Sequence, residues 1–162
     1  MDCVAEAMRM FRENDYRWKN AFAFDLHQLS PRLAVEWAIL CIREIGERRF
    51  RTRLLVFESE LAMAEQYVDK FPQSLEPEQL ELEIWHRPNR DEMQTAISKL
   101  FSAIRQLHQP CNCHMTCGAV VSNLVQHDWL NTSNWGCRSD EMFKLVLKCY
   151  RQVRDSTDRI VG

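Results

Sequence analysis

The chain is short of turn-forming residues: 4 Gly and 5 Pro in 162 positions. A sandwich or barrel needs Gly/Pro turns between short strands at regular spacing, so the composition argues against either. With so few glycines, no glycine-rich phosphate cradle can be built, and neither GxGxxG nor a P-loop is present. HExxH is absent, and "GAVVSN" lacks the flanks of a nucleophile elbow. No apolar run approaches the roughly 18 residues of a membrane span. The opening "MDCVAEAMRMFREN" has neither a basic n-region nor an unbroken apolar core, so a cytosolic location is expected. A formal net charge of −2 predicts neither nucleic-acid binding nor adsorption to a membrane.

What is present is helical periodicity. The apolar fraction of 46% suffices for one packed core in a chain of this length. Val4, Met8 and Phe11 share a stripe, as do Trp18, Phe22, Leu26 and Leu29. Ser30 is placed to cap a helix, and Pro31 falls where its missing N–H costs nothing. From there Val35, Ala38, Ile39, Ile42 and Ile45 form a wide apolar face, broadened by Trp37, Leu40 and Cys41. This predicts a central helix that ends near Gly46. "RTRLLVFESELAMAEQYVDKF" reads as one helix carrying Leu54, Phe57, Leu61, Ala64 and Val68.

Residues 78–86 fit either period: Leu80, Leu82 and Ile84 alternate with Glu81 and Glu83, but Leu80 and Ile84 also lie one turn apart. A helix is preferred, because a lone strand has no visible partner. Asn89 with Glu92 suggests a variant capping box for the next helix, which carries Met93, Ile97, Leu100, Phe101, Ile104 and Leu107. Ser139 opens the last helix, from Met142 to Val153, and the residues after Asp155 are expected to fray. The expectation is a single all-α domain over residues 1–162, a bundle of six to eight helices.

"CNCHMTCG", residues 111–118, stands out from this pattern. Pro110 pushes residue 109 out of the α region, so a turn carrying thiols is expected, with Gly118 helping it. Zinc takes four tetrahedral ligands, and thiolate and imidazole suit it. Cys113 and His114 are adjacent and poorly placed for one ion. A zinc site would instead gather Cys111, Cys113 and Cys117 with a distant ligand such as Cys137 or His127. The preferred reading has no cofactor: Cys111 and Cys113 sit in a loop, and Cys117 packs as a small apolar residue. A reactive Cys113 beside His114 is a further alternative, although catalytic Cys–His pairs normally come from distant positions. The 7 cysteines of a cytosolic chain are expected to be thiols or metal ligands rather than disulfides. His27, His86, His108 and His127 look scattered, and Glu81 and Glu83 read as solvated acids rather than a catalytic pair.

Two features point to a protein partner. Trp129 and Trp135 flank the polar loop in "HDWLNTSNW", and tryptophan is over-represented among interface hot spots. Arg43, Arg48, Arg49, Arg51 and Arg53 form a basic run, within which Arg48, Arg49 and Arg51 are contact candidates for an acidic partner.

"LSPRLAVEWAILCIREI", the later "LAMAEQYV" and the capped helix from Asn89 resemble bacterial helical domains of unknown function, some of them labelled immunity proteins of toxin systems. The resemblance rests on the Ser-Pro cap, on Trp37 with Ala38 and Cys41, and on Ala64-Glu65 before Tyr67, and it spans about half the chain. It implies a non-catalytic protein that binds another protein, and it transfers no site residues. The expected function is therefore a non-catalytic interaction or regulatory protein in the cytosol. A small zinc-binding helical adaptor and a cysteine-nucleophile enzyme are the alternatives.

Overall fold

Apolar stripes at helical spacing must be buried against one another, and the structure, a computed structural model, shows how this chain does it. It describes residues 2–70, 76–88, 90–107, 113–131 and 140–161, with only the backbone given for 126–131 and 158–161. Among the described residues there are nine α-helices and no strand: α1 (Cys3–Arg12), α2 (Trp18–Leu29), α3 (Pro31–Arg49), α4 (Arg51–Val56), α5 (Glu58–Asp69), α6 (Glu76–His86), α7 (Glu92–Gln106), α8 (Cys113–Asn131) and α9 (Asp140–Val161). The all-α expectation holds.

α3 is the element the others share. It packs on α2, α8 and α7, and also against α4, α5 and α9. Its buried residues run from Ala34 to Gly46 and cover more than one face, as its broad apolar pattern requires. Trp37 is fully buried, and its indole N–H donates to the Val146 carbonyl of α9 at 3.4 Å, which satisfies the one polar atom the ring brings inside. Phe22 of α2 lies 6.3 Å from the Trp37 ring and 4.9 Å from Tyr150 of α9, so aromatic packing joins these three helices. Beyond α2, the neighbours α8, α7 and α6 follow in spatial order, and α1 lies against α2.

Several boundaries differ from the sequence reading. Gly46 does not end α3, which continues to Arg49; a Cβ at Gly46 would lie 3.0 Å from Leu54 Cδ1, so the glycine makes room for α4. The expected single helix over residues 51–71 is broken at Phe57, whose buried ring lies under the guanidinium groups of Arg53 and Arg87. That break takes the helix count above the expected range. Ser30 occupies the N-cap position of α3, but its hydroxyl makes no cap bond. α7 is capped by Asp91, which accepts from the Gln94 N–H at 2.8 Å; Asn89 lies outside the described residues. Residues 78–86 are helical. Ile84 is buried while Leu82 is exposed, so the apparent alternation arose from one surface leucine. Leu29, placed on the α2 stripe, is also exposed. α9 stays helical past Asp155, through Val161, where fraying was expected. The loop residues 132–138 and Ser139 lie outside the described residues.

Replacing Trp37 removes a large ring from the middle of this packing and leaves a cavity. Trp37→Ala is expected to lower the unfolding free energy by about 3–5 kcal/mol. Urea unfolding followed by far-UV circular dichroism measures this, and a loss below about 1 kcal/mol would place Trp37 outside the core.

Candidate functional site

The first turns of α8 carry most of the "CNCHMTCG" segment, and they form a helix rather than the expected turn. Cys113 and Cys117 lie one turn apart and are both fully buried. The Cys113 thiol donates to the Ala103 carbonyl of α7 at 3.5 Å, and the two Sγ atoms are 3.9 Å apart. Cys113 is thus not in a loop, whereas Cys117 packs inside as expected. The hydrogen bond from Cys117 lowers the pKa of Cys113; donating that bond, together with burial, raises Cys117 well above the ordinary thiol value. On the same side of α8, Thr116 Oγ1 donates to Gln106 Oε1 at 2.8 Å, which ties α8 to the end of α7.

His114 follows Cys113 in sequence, and one residue of helix turns it about 100° away. It reaches α2, where its ring centroid lies 4.9 Å from that of His27 and 5.4 Å from that of Phe24. The Nδ1 atoms of both histidines are shielded from solvent and have no hydrogen-bond partner. Gly118 lets the helices meet: a Cβ there would fall 2.0 Å from Asn20 Oδ1 and 3.0 Å from Asn20 Cγ. Its role is close approach of backbones within a helix. Phe24, whose ring meets His114, is 51% exposed, and Met115, the residue after His114, is 57% exposed.

Of the five zinc candidates, Cys113 and Cys117 face the core, His127 lies in α8 with its side chain outside the description, and Cys111 and Cys137 lie outside the described residues. Among the described residues no group of three or more His, Cys, Asp or Glu is gathered where it could hold a metal ion. Trp129 falls in α8 with its side chain undescribed, and Trp135 lies outside the described residues.

The basic run is matched by acids on every arginine. Arg43 pairs with Glu58 at 3.0 Å and with Glu65, Arg48 with Glu44 at 3.9 Å, and Arg49 with Glu141 of α9. Arg51 pairs with Glu47 at 3.5 Å and Arg53 with Asp91 at 2.7 Å. Arg48, Arg49 and Arg51 therefore present paired charge rather than a bare cationic patch.

Two further polar groups are set in apolar surroundings. Burial lowers Lys19 to a pKa of about 8, with its ammonium 4.9 Å from the Trp18 ring centroid. Burial raises Cys3 to about 11; its thiol donates to the Ala21 carbonyl at 3.2 Å, next to Tyr150, whose hydroxyl donates to Asp25 at 2.6 Å. Sequence reading treated His27 as isolated and looked for partners of His114 only among nearby cysteines. The available signal was Gly118 in a helical stretch, which marks a close helix crossing.

Comparison with protein-family models, with curated proteins and with solved structures finds no match for the chain.

Two outcomes follow from the crossing. A β-branched side chain at Gly118 must displace the Asn20 side chain or move α2 away from α8, so Gly118→Val is expected to cost about 1–3 kcal/mol, read by thermal or urea unfolding. A neutral effect would mean that Asn20 turns aside freely and that the crossing does not need a glycine. The second concerns pH. Burial and the neighbouring His27 lower the pKa of His114 below its ordinary 6.5. The unfolded chain then binds a proton at this position at higher pH than the folded chain does. The resulting stability is complete above about pH 6.5 and is lost as the pH falls through the folded value. His114→Gln should reduce the drop in Tm between about pH 7.5 and about pH 5.5 relative to the wild-type chain; an identical drop would contradict this environment for His114.

Proposed function

We propose that the chain is a non-catalytic cytosolic protein-interaction or regulatory protein that holds another protein on its α2–α8 face. The observation that carries this reading is the exposure of Phe24 and Met115 beside the His27–His114 pair. Single exposed apolar residues are ordinary, but Phe24 packs on the His114 ring, which adjoins His27, so three rings meet where α2 and α8 cross. Methionine adapts to varied partner shapes, and buried aromatic rings dominate interface energetics.

The state of the thiols supports the non-catalytic part. The five cysteines among the described residues are free; Cys3 is pushed up by burial and the Asp25 charge, Cys41 by burial and its hydrogen bond with Cys149, and Cys117 by its hydrogen bond with Cys113 and by burial, which disfavours the nucleophilic thiolate. Cys113 is lowered, but it is fully buried against α7. Free thiols and the absence, among the described residues, of a helix long and apolar enough to cross a membrane fit the cytosolic location. The resemblance to immunity-like helical domains points the same way, toward a protein partner.

Phe24→Ser with Met115→Ser is expected to weaken capture of the partner at least tenfold in affinity-purification mass spectrometry from native extract, while Tm stays within about 2 °C of wild type. Undiminished capture by the folded double variant would reject the α2–α8 face as the docking surface.

A further inference from the structure

The two histidines at the α2–α8 crossing have a geometry that aromatic packing alone does not require. Each has an Nδ1 atom shielded from solvent and without a hydrogen-bond partner, and the two rings belong to different helices. Buried polar atoms are nearly always paired, so two orphaned nitrogens on adjoining rings call for a common explanation. A neutral imidazole nitrogen carries a lone pair that can bind a metal ion.

The spacing fits one ion shared by both rings. An ion about 2.1 Å from an imidazole nitrogen lies about 3.2 Å from that ring's centroid, and two such rings at ligand angles of about 90–110° have centroids about 4.5–5.2 Å apart. The observed separation is 4.9 Å, with ring planes inclined at 59°. Phe24 stands edge-on to His114 at 5.4 Å and limits its rotation, so the imidazole is partly pre-set.

We infer that His27 and His114 form a two-imidazole site for a divalent transition-metal ion that favours nitrogen ligands, such as Zn2+ or Cu2+. The donor set selects against hard ions such as Mg2+, which prefer oxygen. The site differs from the zinc arrangement the cysteine segment suggests. Its ligands come from α2 and from the outward side of α8, whereas Cys113 and Cys117 point to α7. A bound ion would link α2 to α8 and stabilise the folded chain by mass action. The inference does not rest on the docking reading, because it concerns the isolated chain and the metal alone.

Isothermal titration of the purified chain with ZnCl2, and separately with CuCl2, tests it after treatment with a chelator and dialysis. One equivalent is expected to bind with a dissociation constant below about 100 µM, raising Tm, whereas MgCl2 produces neither effect. His27→Gln and His114→Gln should each weaken binding at least tenfold, and Cys111→Ser should leave it unchanged. Imidazole resonances of both histidines in the wild-type chain should shift together on adding Zn2+, which keeps the test informative if a variant folds poorly. Absence of Zn2+ and Cu2+ binding up to about 1 mM overturns the inference. So does binding that survives both histidine substitutions, or binding that disappears with Cys111→Ser.

Discussion

The close approach of α2 and α8 at Gly118 is the constraint on which the rest of this structure depends. A Cβ at that position would fall on the tip of the Asn20 side chain, so the bare α-carbon leaves Asn20 its place in the crossing. Along the same stretch of α8, Cys113 bonds to α7 with Cys117 beside it, and His114 lies against His27. α3 then packs on both helices, and Trp37 carries the contact through to α9.

Apolar burial holds the bundle together, and charge orders its surface. The buried side chains form one cluster that draws on all nine helices. The arginines of α3 and α4 pair with acids on α3, α5 and α9 and on the approach to α7, and these pairs are solvent-facing enough for each to contribute no more than about 1 kcal/mol. Their consequence is more for recognition than for stability: a run that looks strongly basic in sequence presents little unpaired charge. On α2 and α8, by contrast, the large apolar side chains Phe24 and Met115 are exposed.

Helix type and core membership could be read from the sequence because both follow from spacing. Trp37, Ile42, Leu61, Ile97 and Val146 were placed by periodicity and are buried. The errors arose where one residue overrode the pattern. Phe57 is apolar and on register, yet its packing under two arginines interrupts the helix. Gly46 and Gly118 read as a stop and a turn, but both serve helix contact, which becomes visible only when the opposing residue, Leu54 or Asn20, is known. The histidine pair was illegible for the same reason, since its members are far apart in sequence and no spacing rule joins them. The cysteine segment attracted the metal reading by local composition, whereas its histidine, turned about 100° around α8 from Cys113, meets His27 of α2.

The account stands or falls on whether His27 and His114 meet across α2 and α8. Nuclear Overhauser spectroscopy on chain carrying labelled histidine measures this directly, with His27→Gln and His114→Gln spectra assigning the resonances. Rings whose centroids are 4.9 Å apart should give cross-peaks between their imidazole protons. Assigned His27 and His114 resonances with no cross-peak between them, in a chain whose other α2–α8 contacts are observed, would contradict the account.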